Sequence, residues 1–364
     1  NIYVMENSKM VDTYSLKIGG LRINELFEES LDSPKDYVQV IREYLTPFFE
    51  TLSDAIPEKL SQCIVSGNEI QTIASMCNAT NSLDFSIMER TAFTKMYKKA
   101  KEKGTEAISM EYDIPQEEVE VLLPSLIVLN RLLKYTVNDS ILLSNVLLSD
   151  AVMFEMLFPK EASFVVKAYE EFTLQSATSI AERFGRDLDH ISRVSSVALE
   201  IYDKMKKLHG YKLRERTLLQ VSAILQDIGK YVNVKNHALL SYNTITNLDI
   251  VGINDHERLI IATVCYYHNG NIPSMDSPIY NQLSQEDRVM VSKLAAILQI
   301  SNAINTSHSP KFEQVNVNMK NGKLNIYLTT LKNINLEKWA FIAKSKLFRE
   351  VYGLNATIIK RGVL

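Results

Sequence analysis

The chain has 364 residues, of which 46% are hydrophobic and 23% charged; this composition is ordinary for a globular protein, and the length calls for two or three domains rather than one core. A net charge of −3 gives no basic bias toward nucleic acid, no apolar run approaches the about 18–20 residues of a membrane span, and no signal peptide precedes the first element. Three cysteines, Cys63, Cys77 and Cys265, are too few, too far apart and too apolar in setting for a disulfide frame or a zinc knuckle, and read as reduced thiols of a cytoplasmic protein.

In chain order, residues 2–18 predict a β-hairpin running into Gly19-Gly20. Ser33-Pro34 then opens a helix carrying Tyr37, Val38, Ile41, Tyr44 and Leu45 on its apolar stripe. A short strand over 62–65 turns through Ser66-Gly67-Asn68 into another helix. Ser86 and Glu89 have the spacing of a capping box for a helix that reaches the cationic cluster Lys95, Lys98, Lys99, Lys101 and Lys103. With interleaved Glu102 and Glu106, that cluster reads as a solvated face, or as a surface that steers a polyanion. A helix after Pro115, a strand over 141–144 and a helix over 150–158 complete an α/β domain assigned to 1–159. From 160 to 309 nearly every segment has helical period, which predicts an all-helical domain. After Pro310 the alternation of Val315, Val317 and Met319, the turn signal Asn321-Gly322, and Leu324, Ile326 and Leu328 predict a hairpin. A helix over 336–352, with Leu336, Trp339, Ala340, Ala343, Leu347 and Val351 inward and Gly353 as its stop, and a strand over 355–360 make 310–364 a small α+β module.

The stretch that organises the chain is 219–242. Leu218, Val221, Ile224 and Leu225 define an apolar helix that ends on Gln226 and Asp227 before Gly229, and a charge at such a place is costly unless paired or used. His190, His237 and His268 are spread around it in the sequence. The arrangement resembles the HD superfamily of metal-dependent phosphohydrolases, in which a His, a consecutive His-Asp and a final Asp hold a divalent cation. His190 matches the first His, but the His-Asp step reads Gln226-Asp227 and the final Asp reads Asn302. Amides are poor cation ligands, so the resemblance implies a vestigial site of His190, Gln226, Asp227, Lys230, His237, His268 and Asn302, with Asp227 and His190 kept as a core pair and no metal held.

The succession of an α/β domain, an HD-like helical domain and an α+β tail resembles the exopolyphosphatase and guanosine pentaphosphate phosphatase (Ppx/GppA) family. Gly19 and Arg22 in LKIGGLRINELF, Ser66-Gly67, His190-x-x-Arg193-Val194, Asp227-Ile228-Gly229-Lys230, Ser241-Tyr242 and Tyr267-His268-x-Gly270-x-x-Pro273 fall in the family's order. The resemblance implies that 1–159 is the second lobe of an actin-like (RNase H-like) pair, with Ser66, Gly67, Asn68 and Arg22 as phosphate-binding candidates. The first lobe, with its phosphate loop and catalytic Glu, would precede Asn1, so no residue of this sequence is assigned as catalytic. The parent family hydrolyses terminal phosphoanhydrides of polyphosphate or guanosine polyphosphate with Mg2+, while this chain is expected to be incomplete or inactive. Two alternatives stand beside that reading: a non-catalytic module that binds a polyanion or nucleotide or supports a homodimer, and an HD-type nucleotide phosphohydrolase. No nucleic acid or membrane is expected as a partner.

Overall fold

The computed structural model describes residues 1–362 apart from 8, 17, 28–33, 54, 55, 57, 58, 83, 84 and 321. Two compact units divide the chain. One comprises Ser15–Phe164 with the first two residues, and the other comprises Tyr3–Tyr14 and Val165–Leu364. The hairpin, β1 (Ile2–Glu6) and β2 (Lys9–Tyr14), thus differs from its expected place. It packs with the second unit, where the Met10 amide donates to Gln175 Oε1 at 2.8 Å and Ser179 Oγ donates to the Val11 carbonyl at 2.5 Å.

The first unit holds α1 (Gly20–Phe27), α2 (Pro34–Ser53), β3 (Cys63–Val65), α3 (Asn68–Met76), β4 (Thr80–Asn81), β5 (Phe85–Glu89), α4 (Arg90–Tyr112), α5 (Gln116–Leu132), β6 (Ser140–Ser144) and α6 (Leu148–Leu157). Its sheet runs β3-β6-β5-β4, with β3 parallel to β6 (Cys63 opposite Ile141) and the other pairs antiparallel. Ser33, the expected cap of α2, lies outside the described residues. Ser86 is not a cap. It is buried in β5, where its hydroxyl lies 2.8 Å from both Asn81 Oδ1 and Asn145 Oδ1, because pairing with β6 takes the chain through Glu89 before α4 can start. Arg90 then fans its guanidinium over the carbonyls of Leu133, Thr136 and Asn138 and satisfies the end of α5 and the turn after it. No residue of α6 is buried; Leu148, Met153, Met156 and Leu157 all face out.

The second unit contains α7 (Pro159–Arg183, from Val165 on), α8 (Leu188–Lys204), α9 (Lys206–His209), α10 (Leu213–Leu225), α11 (His237–Ile245), α12 (Asp255–Tyr267), α13 (Pro278–Asn281) and α14 (Gln285–Ile304). β7 (Gln314–Lys320), β8 (Lys323–Thr329), α15 (Asn335–Tyr352) and β9 (Asn355–Arg361) follow. α10, α12 and α14 are apolar nearly all round and form the centre, with α8 against α10 and α14. The tail is not a separate module, since Val317, Leu324, Ile326, Leu328 and Phe348 belong to the same core as the helices. Its sheet runs β7-β8-β9; β7 and β8 form the expected hairpin, of which Asn321 lies outside the described residues and Gly322 takes φ +66°, and β9 returns parallel to β8 after α15.

The buried face of α15 differs from the expected one. Glu337, Ala340, Phe341, Leu347 and Phe348 face the core, while Trp339 is 70% exposed and Leu336 and Ile342 also face solvent. The stripe is rotated by about one residue because Glu337, fully buried, is held by Lys311 Nζ at 2.9 Å, and that ion pair replaces an apolar contact. Among the described residues no helix is long and apolar enough to cross a membrane.

Candidate metal centre

α10 ends at Leu225, and the next two residues, Gln226 and Asp227, are carried into the core before a 3-10 turn, Ile228–Tyr231. Gly229 does not end the helix through an unusual φ; it allows a close approach. A methyl group there would meet the backbone of α11 at the His237 carbonyl oxygen, at Ser241 N (2.5 Å) and at Leu240 C (2.9 Å). Ser241 latches the turn, accepting from the Gly229 amide at 2.9 Å and donating to the Gln226 carbonyl at 2.8 Å. This packing sets His237, the first residue of α11, and His268, which follows α12, on either side of the Asp227 carboxylate.

The two imidazoles are oriented from behind. His237 Nδ1 lies 2.8 Å from the Val234 carbonyl and His268 Nδ1 lies 2.5 Å from the Cys265 carbonyl. A carbonyl only accepts, so each Nδ1 carries the hydrogen, and a neutral ring then presents a bare Nε2 lone pair. Burial, followed by the neighbouring His268, pushes the His237 pKa below the ordinary imidazole value, which favours that neutral form. The two Nε2 atoms are 3.3 Å apart, and Asp227 Oδ1 lies 3.3 Å from that of His268 and 3.6 Å from that of His237. With both rings neutral, three buried acceptors converge with no hydrogen between them. Asp227 Oδ2 is taken by Lys230 Nζ at 2.6 Å. Burial opposes ionisation of Asp227, but His268 when its ring is protonated, together with the Lys230 ammonium, outweighs it and holds the carboxyl well below the usual carboxylate range.

His190 is not Asp227's partner. Neither of its ring nitrogens has a hydrogen-bond partner among the described residues, and the ring stacks on His308 with centroids 3.9 Å apart. Burial and His308 bring its pKa down to about 4, so it is neutral at neutral pH. Gln226, 1% exposed, likewise leaves both amide atoms unmatched. Asn302 is half-buried in the last turn of α14, and its carbonyl accepts from the Asn305 amide. The residues that sequence reasoning missed are His308, the Arg186 guanidinium (3.4 Å from the Asp227 carbonyl) and Lys344 on α15, whose side chain passes Gly270. No local pattern marks them, since all three reach the site through tertiary packing.

In the first unit, Gly67 precedes α3 and Asn68 opens it, but Asn68 lines a groove together with Glu69, Glu117 and Glu118, and Arg22 is exposed on α1. Three carboxylates beside that helix start disfavour an anion, and Ser66, Gly67, Asn68 and Arg22 are not drawn into a cationic cradle. Of the lysine cluster, Lys99 and Lys103 pair with Glu111, whereas Lys98 and Lys101 line a groove with Arg42 and Arg131.

Residues 174–347, which contain every donor of the centre, match the family described as Ppx/GppA phosphatase, domain III. Over those residues the chain carries domain III of the Ppx/GppA family. Among solved structures, an exopolyphosphatase from Cytophaga hutchinsonii ATCC 33406 is similar over 43% of this chain and 52% of its own, at 17% sequence identity and a TM-score of 0.35. The chain thus spans about half the length of that exopolyphosphatase.

The family's metal dependence can be tested against the donors present. Bonds of about 2.0–2.1 Å at tetrahedral angles put neighbouring donors roughly 3.3 Å apart, which is the spacing of His237, His268 and Asp227. Two imidazoles and one carboxylate suit a borderline cation such as Zn2+, Mn2+ or Fe2+ and leave positions open for a ligand. Mg2+, which takes oxygen donors and keeps its waters, does not suit this set. The Val234 and Cys265 carbonyls supply the outer contacts that metal-bound imidazoles need.

Proposed function

We propose that the second unit of this chain is a divalent-metal centre that binds a phosphorylated ligand of the polyphosphate or guanosine polyphosphate class. The observation that carries the reading is the convergence of three buried acceptors, at 3.3, 3.3 and 3.6 Å, with no donor among them. Such an arrangement is repulsive unless a cation joins it. His237, His268 and Asp227 would hold the ion, which supplies Lewis acidity toward a phosphoryl oxygen when bound. Lys230 fixes the rotamer of Asp227 by occupying Oδ2, so that Oδ1 stays directed at the imidazoles. Hydrolysis at this centre is the second reading, and His190 favours it: a neutral, buried imidazole with both nitrogens unmatched is suited to take a proton from an attacking water. Gln226 and Asn302, in place of charged ligands, favour binding without turnover. For the first unit we propose a counterpart of the second actin-like lobe, a reading supported by the parallel β3–β6 pair and its flanking helices.

Elemental analysis after dialysis against Zn2+ or Mn2+ tests the centre. About one ion per chain is expected, lost in Asp227→Asn and His268→Ala and not displaced by excess Mg2+. Stoichiometric metal in both variants, or none in the parent protein, would overturn the reading. A phosphohydrolase assay with tripolyphosphate, comparing the parent protein with His190→Gln, separates turnover from binding.

A further inference from the structure

Unmatched polar atoms concentrate beside the metal centre. Of the ten buried side-chain atoms without a hydrogen-bond partner among the described residues, six belong to His190, Arg193, Gln226 and Asp227. Buried polar groups are normally satisfied, and although Asp227 Oδ1 and Gln226 Oε1 only accept, the Arg193 Nε and the Gln226 Nε2 are donors left without an acceptor, which marks a place for a ligand that brings one. Lys344 is the second observation. It comes from α15, outside the helices that build the centre. It is half-buried, with its Cγ 3.8 Å from the Cβ position of Gly270, two residues beyond His268, and it has no ion pair or hydrogen bond among the described residues. The charges that reach it are Asp227, which attracts it, and Lys230, which repels it. An ammonium is held in such a place at a cost unless an anion joins it.

We propose that Lys344, with the Arg193 guanidinium and the Gln226 amide, forms an oxyanion subsite beside the metal centre that takes the terminal phosphate of a phosphoanhydride chain. A tetrahedral phosphate offers enough acceptor oxygens to meet an ammonium, a guanidinium, an amide and a metal-facing position at once, which a halide or a single carboxylate does not. Lys230 is already committed to Asp227, so the cation available to the ligand is the one that the C-terminal segment delivers.

The subsite rests on the metal-centre reading, and the test separates the two. Zinc-loaded full-length chain, Lys344→Met and Lys344→Arg are compared for metal content, melting temperature and calorimetric binding of tripolyphosphate and of inorganic phosphate. Lys344→Met should keep its ion and its melting temperature while tripolyphosphate affinity falls about tenfold to a hundredfold, the usual loss for a charge-assisted hydrogen bond. Lys344→Arg should recover most of it. Unchanged affinity in Lys344→Met, or no tripolyphosphate binding by the zinc-loaded parent protein, would overturn the subsite. Lysine-dependent binding in a protein that takes up no zinc would remove the metal centre and leave the subsite standing.

Discussion

Gly229→Ala is the sharpest probe of how the centre is built. A methyl group at this position would meet only backbone: the His237 carbonyl oxygen, Ser241 N at 2.5 Å and Leu240 C at 2.9 Å. Ordinary contact begins near 3.4 Å, so α11 has to retreat by more than the difference between 2.5 and 3.4 Å, about 0.9 Å, since the His237 carbonyl oxygen is nearer still, and no side-chain rotation relieves the clash. Overpacking of this kind costs about 1–3 kcal/mol, and the upper end applies where the obstacle is a helix backbone. At about 2–4 °C per kcal/mol for a unit of this size, the melting temperature should fall by roughly 6–12 °C. His237 rides on the first turn of α11, so its Nε2 leaves the Asp227 and His268 donors and zinc affinity should fall about tenfold or more. Differential scanning fluorimetry and a zinc titration read both effects. Ser241→Ala is the contrast: it leaves the buried Gly229 amide without an acceptor, at a cost of about 1–3 kcal/mol, but moves no helix and should bind zinc nearly as tightly as the parent. A Gly229→Ala protein that melts within a degree of the parent and binds zinc equally would refute the close approach and the dependence of the centre upon it.

Three further outcomes follow from groups elsewhere in the fold. Lys311→Met strands the fully buried Glu337 carboxylate and should destabilise the second unit by about 3–5 kcal/mol, whereas Lys311→Met with Glu337→Leu should recover most of the loss; equal melting of the single and double variants would dismiss the pair. His190 is held at about 4, below its ordinary 6.5, by burial, by His308 and by the cationic Lys230 and Arg193, against the opposing pull of the Asp227 carboxylate. The folded state thus refuses a proton that the unfolded chain accepts. This contribution is whole above pH 6.5 and is lost as pH falls toward 4, so metal-free protein should melt progressively lower over that window, and His190→Gln should flatten the dependence. Burial pushes Cys63 and Cys77 up to about 11, leaving about one thiol in a thousand ionised at pH 8, so both should resist iodoacetamide until the protein is unfolded; rapid native-state labelling would contradict their burial.

Much of the architecture was legible because it rests on local signals. The hairpin β7–β8 follows period-two alternation, Gly353 ends α15 at φ +66°, and α10 announces itself by an apolar run that stops at Gln226 and Asp227. Pairing was not legible. His190, Asp227, His237 and His268 all stood out in the sequence, but motif order joined Asp227 to His190, whereas packing at Gly229 joins it to His237 and His268. The face of α15 failed for a related reason. Trp339 and Leu336 outweigh Glu337 on any apolar scale, and partners from the segment before β7, Lys311 with Ser307, make the buried carboxylate acceptable. Lys344 lies on that same face, and in a sequence it looks like any solvated lysine.

The position of Lys344 also sets an order of assembly. Asp227, His237 and His268 sit within one continuous stretch of the bundle, but Lys344 joins them only once α15, the crossover between β8 and β9, has packed on α14. Parallel pairing across a crossover is among the slower events of folding. A chain that has captured its ion can therefore still lack its anion donor, and a phosphate held by Lys344 will by mass action resist the fraying of a strand it never touches.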